Sequence, residues 1–332
     1  MSLCADRRSR VLSVVGVVAL LAFLTISTQA AEGAYPGKNG KIAFFDQGDI
    51  WVMNPDGTGR TNLTSGPEGG GAPEWSPDGT EIAFSRPEGI LVMDADGGNR
   101  HQITNEGFSP SWSPDGNRIA YNNGASIRIV NADGTNPTTL QFEQGGNDFD
   151  IESGPVWSPD GSEILVGVQN CTFHCVDFFV LSVMADGSGY DYIDSGGPID
   201  WSPNGSEVLY HFDLPGGPPL YRMVRHSGVR QLVSEDGSFG GTWSPDGTKI
   251  ALAAEHPSGR GEISVVNPDG TNPTVLGLGA VPDWQPIPIN SYPRPKSATP
   301  FKVSLVPAYT QCTAPNRTHG PPLDSESCNP PT

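Results

Sequence analysis

The sequence predicts an all-β fold made of a repeated four-stranded unit, and three observations support this prediction. A pentapeptide headed by tryptophan recurs along the chain, short β-rich runs follow each copy, and no segment keeps the 3.6-residue period of an amphipathic helix. Gly and Pro make up 74 of the 332 residues, which disfavours helical bundles and coiled coils. The 28 aromatic residues can still supply a large hydrophobic core.

The first thirty residues have the pattern of an export signal. Arg7, Arg8 and Arg10 precede an uncharged apolar run over residues 11–26, and small residues at Thr28 and Ala30 suit a cleavage site. We therefore predict a signal peptide over residues 1–30, the alternative being an uncleaved membrane anchor. Cleavage would leave a secreted or extracytoplasmic protein of the periplasm or cell envelope, with no transmembrane segment in the mature chain.

The repeat begins after this leader. The sequence Trp-Ser-Pro-Asp-Gly, or a close variant of it, starts at Trp75, Trp112, Trp157, Trp201, Trp243 and Trp284. Successive tryptophans are 37 to 45 residues apart, which is the period of a four-stranded propeller blade.

Each copy is followed by strand and hairpin signals. Runs such as Glu81–Phe84 and Ile90–Met93 alternate with Pro-Asp-Gly and Ala-Asp-Gly turns, which favour tight hairpins. Lys41–Met53 has two strand signatures without a preceding tryptophan motif, whereas Trp284 has the motif without following strands. Together they make one blade. We predict a six-bladed β-propeller over residues 38–286, closed by the pairing of a strand near Val281–Gln285 with the N-terminal strands.

This repeat resembles the WD-repeat-like β-propeller repeat of TolB-type proteins, whose variants also build the propellers of prolyl oligopeptidases and tricorn proteases. The resemblance covers about residues 38–286 and is more specific for fold than for function. The α/β domain that precedes the TolB propeller is expected to be absent, since only Ala31–Gly37 separate the leader from the first strand. No α/β-hydrolase domain with a Gly-x-Ser-x-Gly elbow fits, so peptidase activity is not expected.

The C-terminal segment differs from the repeats in composition. Residues 287–332 are rich in proline and are predicted to be an extended tail. Four cysteines follow the leader, namely Cys171, Cys175, Cys312 and Cys328, and an even number in an exported chain predicts disulfides. Local pairing of Cys171 with Cys175 and of Cys312 with Cys328 is the simplest of three possibilities. Metal ligation by Cys171, His174 and Cys175 is the alternative.

The net charge and the composition of the turns argue against nucleic-acid binding and against calcium binding. The formal net charge of −18 excludes nucleic acid as the expected partner, because phosphate binding needs a basic surface. Acidic turns such as Asp94–Asn99 resemble calcium loops, but they fit tight hairpins better. The repeated tryptophans are expected to pack between blades and not to bind sugars.

Comparison of the repeats with one another points to one rim of the ring. The turns after the first and third strands barely vary, whereas the loops after the second and fourth strands differ in length and chemistry. Variable loops on a rigid ring commonly carry function. We expect a binding site at the channel mouth on this variable rim, with the candidates Asp46, Arg86, Asn123, His211 and His256. The alternative is that these are ordinary solvated loop residues.

The favoured function is a non-enzymatic binding or scaffold propeller that presents its variable rim to a protein or cell-envelope component. No catalytic residue, metal ligand or cofactor is predicted, because the spacing shows neither a nucleophile–base pair nor a metal triad. The alternative is a metal-dependent lyase or hydrolase acting on glycans at the channel mouth. A third possibility is a structural spacer whose tail performs the function.

Overall fold

The computed structural model describes residues 37–66, 70–140, 149–151, 153–170, 177–211, 219–235 and 238–288. These residues form twenty-five β-strands in six antiparallel sheets, and they contain no helix. The predicted all-β, six-bladed β-propeller is therefore confirmed.

The sheets follow one another around the ring as blades 1 to 6. Blade 1 contains β25 (Ala280–Ile287), β1 (Lys38–Asp46), β2 (Asp49–Met53) and β3 (Thr61–Asn62). Blade 2 contains β4 (Gly71–Trp75), β5 (Glu81–Arg86), β6 (Gly89–Asp94) and β7 (His101–Gln102). Blade 3 contains β8 (Phe108–Trp112), β9 (Arg118–Asn122), β10 (Ile127–Asn131) and β11 (Thr138–Thr139).

The remaining three blades have longer outer strands. Blade 4 contains β12 (Phe149–Ile151), β13 (Val156–Trp157), β14 (Glu163–Asn170), β15 (Asp177–Met184) and β16 (Tyr190–Ser195). Blade 5 contains β17 (Gly197–Trp201), β18 (Glu207–His211), β19 (Leu220–Val224) and β20 (Val229–Ser234). Blade 6 contains β21 (Ser238–Trp243), β22 (Ile250–Glu255), β23 (Gly261–Val266) and β24 (Thr274–Leu278).

The first and last strands close the ring as the sequence predicts. In blade 1, β25 pairs with β1 in an antiparallel register that places Ile42 opposite Trp284 and Lys38 opposite Ile287. The closing strand is longer at both ends than the predicted Val281–Gln285. The pairing completes blade 1 and gives β1 a partner on each side, which removes an exposed sheet edge.

The hydrophobic core lies between neighbouring blades. The six repeat tryptophans are each at most 6 % exposed, and each packs with aliphatic residues from two adjacent sheets. Trp75, for example, clusters with Ile50 of blade 1 and with Ile82 and Met93 of blade 2. Burial of such large side chains supplies most of the packing energy between sheets. The expected role of the tryptophans as packing residues is confirmed.

In the repeated Ser-Pro-Asp-Gly turns, the acidic side chain accepts hydrogen bonds from residues of its own turn. In blade 2, Asp78 Oδ1 accepts hydrogen bonds from the hydroxyls of Ser76 and Thr80 and from the Thr80 backbone N–H. Equivalent turns use Asp115, Asp160, Asn204 and Asp246 in the same way. These side-chain oxygens hold the turn together, which is the role expected of the Pro-Asp-Gly sequence.

Several of the sequence predictions concern residues outside the described ranges. The leader at residues 1–30, the tail from residue 289 onward and the four cysteines Cys171, Cys175, Cys312 and Cys328 lie outside the described residues. The signal peptide, the disulfides and the domain boundaries stay predictions. Within the described ranges there is no helix of the length and hydrophobicity needed to cross a bilayer.

Candidate functional site: the central channel

The innermost strands of the six blades surround a central cavity of about 500 Å³. Register shifts interrupt the pairing of the inner strand in blades 1, 2, 3, 5 and 6, each a few residues before the tryptophan. The residue directly before each repeat tryptophan lines the cavity. These six residues, the pre-Trp ring, are Glu74, Ser111, Val156, Asp200, Thr242 and Asp283.

Hydrogen bonds from the pre-Trp ring link each blade to the next. Four backbone N–H groups of the repeat tryptophans donate to side chains of the preceding blade: Trp75 to Asp283 Oδ2 (2.6 Å), Trp112 to Glu74 Oε1 (3.0 Å), Trp157 to Ser111 Oγ (3.2 Å) and Trp243 to Asp200 Oδ2 (2.7 Å). A polar side chain before the tryptophan therefore holds the next blade in register. This explains acidic residues at an otherwise enclosed position.

The chain of bonds changes where blade 4 supplies Val156, which has no side-chain acceptor. The N–H of Trp201 in blade 5 donates instead to Oδ1 of its own neighbour Asp200 (2.8 Å). Asp200 thus accepts from two tryptophan N–H groups, one in its own blade and one in blade 6. A carboxylate can do this because its two oxygens offer separate acceptor sites.

Three carboxyl groups in one narrow channel perturb one another. Burial raises the pKa of Asp200 and of Asp283 to about 7, against the opposing effect of the tryptophan N–H donors. Burial, together with the nearby charges of Asp283 and Asp200, raises the pKa of Glu74 well above its ordinary value. Burial thus favours the protonated form of all three carboxyl groups.

Among the five candidate residues predicted from sequence, His211 lines this cavity. It is the last residue of β18 and lies opposite Gly197, the first residue of β17. A Cβ atom on Gly197 would come within 2.5 Å of His211 Cε1, so the absence of a side chain there leaves room for the imidazole. Histidine at a channel wall offers ring nitrogens that can donate or accept a hydrogen bond.

Asp46 is held at the boundary between blades 1 and 6. The Asp46 carboxylate accepts from Arg260 Nη2 through both oxygens (2.5 Å each) and lies 3.5 Å from Arg60 Nη2. The Arg60 guanidinium also donates to the carbonyl of Leu278 (2.7 Å) and lies 4.6 Å from the centre of the Phe44 ring. Asp46 thus ties two blades together, and it is not among the residues that line the cavity.

The other three candidates have local partners. Arg86 is buried, lies over the Phe84 ring and approaches Glu88 at 3.6 Å. Asn123 Oδ1 accepts from the backbone N–H groups of residues 125 and 126 within its own turn. His256 Nδ1 lies 2.8 Å from the Ser258 hydroxyl, also within its own loop. The contacts of Asn123 and His256 match the alternative of ordinary loop residues, whereas Arg86 is a buried residue at the end of β5. A binding role for the three stays a prediction.

The sequence reasoning missed the pre-Trp ring. The signal was present, because the position before each tryptophan carries Glu74, Asp200 and Asp283 in three of six copies. Among the described residues, no group of three or more His, Cys, Asp or Glu side chains is placed to hold a metal ion. The pre-Trp ring itself offers carboxyl and hydroxyl groups that form hydrogen bonds.

The comparisons with known proteins agree with this architecture. The family model of the TolB beta propeller domain matches residues 86–286, and the chain belongs to that family. Among solved structures, TolB from Acinetobacter baumannii is similar at 19 % identity with a TM-score of 0.62, over 74 % of this chain and 67 % of that one.

Two further solved structures share the fold. The putative TolB from Agrobacterium tumefaciens is similar at 18 % identity with a TM-score of 0.56, over 73 % of this chain and 91 % of that one. A chain of a nidogen/laminin complex is similar at 12 % identity with a TM-score of 0.60, over 75 % of this chain and 99 % of that one. No curated protein matches this chain. Identities this low establish the fold alone.

Proposed function

We propose that the protein is an exported binding propeller that presents its variable rim, with the channel mouth at its centre, to a protein or cell-envelope partner. Membership of the TolB beta propeller domain family supports a binding or scaffold role. The predicted leader supports export. The structural similarity to a chain from a nidogen/laminin complex is compatible with this role, since that propeller comes from a complex between proteins.

The observation that carries the proposal is the contrast between the two rims. The turns between first and second strands occupy five residues in four successive blades, at 76–80, 113–117, 158–162 and 202–206. The connections between second and third strands instead occupy 47–48, 87–88, 123–126, 171–176, 212–219 and 256–260. One rim thus repeats a single structural turn, and the other differs from blade to blade around His211 and the cavity.

The test is capture of a partner from envelope extract by the immobilised chain. His211→Ala changes the channel wall on the variable side, whereas Pro55→Arg places a large charged side chain on the repeating rim as a control. We expect a partner that is captured by the wild-type chain and by Pro55→Arg, and at least fivefold less by His211→Ala. A partner lost with Pro55→Arg and retained by His211→Ala would place the binding site on the other rim and contradict the proposal.

A further inference from the structure

The central cavity has apolar groups near the variable rim and carboxyl groups deeper in the channel. Its wall extends from residues at the variable-rim ends of the inner strands, such as Ala72 and Val281, to the repeat tryptophans. Five of the six blades contribute a proline to this wall, namely Pro73, Pro110, Pro155, Pro198 and Pro282. The carboxyl groups of the pre-Trp ring follow these prolines in the inner strands. A ligand that enters from the variable rim therefore passes apolar groups before it reaches them.

The three carboxyl groups in the channel have neutral partners only. Among the described residues that line the cavity there is neither lysine nor arginine. His211 also lines it, but it pairs with Gly197, three residues before Asp200 on the inner strand. The donors to the carboxyl groups are backbone N–H groups and the hydroxyls of Ser111 and Thr242. Such donors orient a carboxylate, but they do not balance its charge.

Other enclosed carboxylates of the described chain are paired with an arginine of the protein itself. Four carboxylates that are at most 16 % exposed form such ion pairs: Asp46 with Arg260, Glu163 with Arg225, Asp194 with Arg230 and Glu207 with Arg222. The carboxyl groups in the channel differ from these four. Since a buried charge is stabilised chiefly by a partner of opposite sign, the channel is a place where that partner can come from another molecule.

Glu74 brings to the cavity a carboxylate oxygen without a hydrogen-bond partner. Its Oε1 accepts from the Ser111 hydroxyl (3.3 Å) and from the Trp112 N–H (3.0 Å), whereas no described residue donates to Oε2. Burial is the largest cause of the raised pKa of Glu74, and the nearby charges of Asp283 and Asp200 add to it. A cation with N–H groups beside Oε2 would supply both a donor and the opposite charge.

An ammonium group suits this cavity better than a metal ion does. Among the described residues, no three His, Cys, Asp or Glu side chains are placed to hold a metal. Hydrogen bonds of about 2.7–3.2 Å are longer than metal–oxygen bonds of about 2.0–2.6 Å, so an ammonium tolerates a wider spacing of carboxyl groups. Its three donors point in different directions, and the carboxyl groups come from three different blades. An alkyl chain behind the ammonium would lie against the prolines.

We infer that the central cavity binds the ammonium group of a lysine side chain, which a partner protein inserts from the variable rim. Glu74 accepts a hydrogen bond from the ammonium group, Asp200 and Asp283 add negative charge, and the prolines contact the alkyl chain. The inference rests on the proposed function for the carrier of the lysine, a partner protein. The chemistry of the channel can be tested without that partner.

The test titrates the full chain at pH 8 with n-butylammonium chloride, which reproduces the end of a lysine side chain. The comparison probe is 1-butanol, which has the same alkyl chain without the charge. Binding is followed through the backbone amide resonances of Trp112 and Trp243, whose N–H groups donate to Glu74 and Asp200.

Two pairs of variants separate charge from shape. Val156→Lys places an ammonium group in the pre-Trp ring from the protein itself, and Val156→Met is the matched control of similar length without charge. Glu74→Gln removes the charge and keeps an amide oxygen that can accept from Trp112. Asp191→Asn, at an exposed position on β16, is its control.

We expect butylammonium to bind the wild-type chain, Val156→Met and Asp191→Asn, and 1-butanol to bind about tenfold more weakly. Butylammonium should bind about tenfold more weakly to Val156→Lys than to Val156→Met, and about tenfold more weakly to Glu74→Gln than to Asp191→Asn, with circular dichroism unchanged.

Equal binding of the two probes, equal binding of butylammonium within either pair of variants, or no binding to the wild-type chain would overturn the inference. A wild-type chain that binds butylammonium but captures no partner from envelope extract would instead contradict the proposed function.

Discussion

The Asp283 carboxylate accepts a hydrogen bond of 2.6 Å from the backbone N–H of Trp75, which lies 208 residues earlier in the chain. The closing strand is therefore bonded to the next blade as well as to its own sheet. The same carboxylate lines the channel and has a pKa raised to about 7, with burial as the largest cause. A single group thus links ring closure to the protonation of the channel.

The first prediction concerns stability and pH. A carboxyl group with a raised pKa binds its proton more tightly in the folded state, so its stabilising effect is complete below about pH 4 and is lost as the pH rises through 7. Asp283→Asn cannot ionise, and its amide oxygen can still accept from Trp75. We expect the fall in unfolding free energy between pH 5 and pH 8 to be smaller in this variant by roughly 1–3 kcal/mol.

Urea unfolding at the two pH values measures this difference. Asp191→Asn, at an exposed position on β16, is the control and should keep the wild-type dependence. At lower pH the turn aspartates act in the opposite direction, because hydrogen bonds from Thr58 and Thr135 lower the pKa of Asp56 and Asp133. Their contribution is lost only as the pH falls below about 4. If the unfolding free energy of Asp283→Asn falls as much between pH 5 and pH 8 as that of the wild-type chain, the raised pKa of Asp283 is refuted.

The second prediction concerns the turn against the closing strand. Gly79 and Gly247 occupy the same position of the repeated turn, with φ values of +69° and +71°. A Cβ on Gly79 would lie 2.2 Å from the Pro286 carbonyl oxygen, whereas a Cβ on Gly247 would have no neighbour closer than 3.9 Å. Both alanine variants incur the cost of a left-handed backbone, but only Gly79→Ala also displaces β25.

We expect Gly79→Ala to lower the unfolding free energy by about 1–3 kcal/mol more than Gly247→Ala does. Thermal or urea unfolding of the two variants measures the difference directly. Equal destabilisation would mean that the contact of this turn with β25 contributes nothing to closure of the ring.

The third prediction concerns the boundary between blades 6 and 1. Asp46→Ala leaves Arg60 and Arg260 close together without their shared carboxylate, which is only 8 % exposed. Because both guanidinium groups are about one-third exposed, we expect a loss of about 1–2 kcal/mol, smaller than for a fully buried pair. Glu88→Ala removes the exposed partner of Arg86 and should cost less than about 0.5 kcal/mol. Denaturant unfolding that shows equal losses in the two variants would refute a special role for Asp46.

The fourth prediction concerns the position of His211. Gly197→Ala should push the imidazole away from its present place, because the added methyl group would overlap Cε1. Gly71→Ala is the matched control: Gly71 begins the inner strand of blade 2, and a Cβ there meets no atom within 4 Å. We expect the His211 ring resonances to shift in Gly197→Ala and to stay in place in Gly71→Ala. Unshifted resonances in Gly197→Ala would show that the imidazole is not confined by β17.

The fold could be predicted from the sequence because each repeat contains the residues that form its own turns and strands. The Ser-Pro-Asp-Gly turn at 76–79 closes through bonds between residues at most five apart, and the tryptophan that precedes it is buried wherever it occurs. The closing strand was predictable from the remnant at Trp284. Local rules of this kind can be read from a single chain.

The site was less predictable because its contacts join distant residues. Asp46 aligned with other hairpin ends as a candidate for the channel mouth, but Arg260, 214 residues away, holds it at a blade boundary. Glu74 was not among the predicted site residues, although its carboxylate accepts the hydrogen bond from the backbone N–H of Trp112 in the next blade. Sequence spacing gives the strand on which a residue lies, and it does not give the neighbour from another blade.

Because β25 pairs with β1, blade 1 can be completed only after residues 280–287 have been synthesised. During synthesis β1, β2 and β3 emerge first, yet β1 lacks its inner neighbour until Ala280–Ile287 has been made. Contacts between such distant segments form late and slow the folding of the whole chain. A chain that stops short of Ala280 would leave β1 as an open sheet edge, ready to pair with another molecule. The eight-residue strand β25 is therefore needed to complete blade 1.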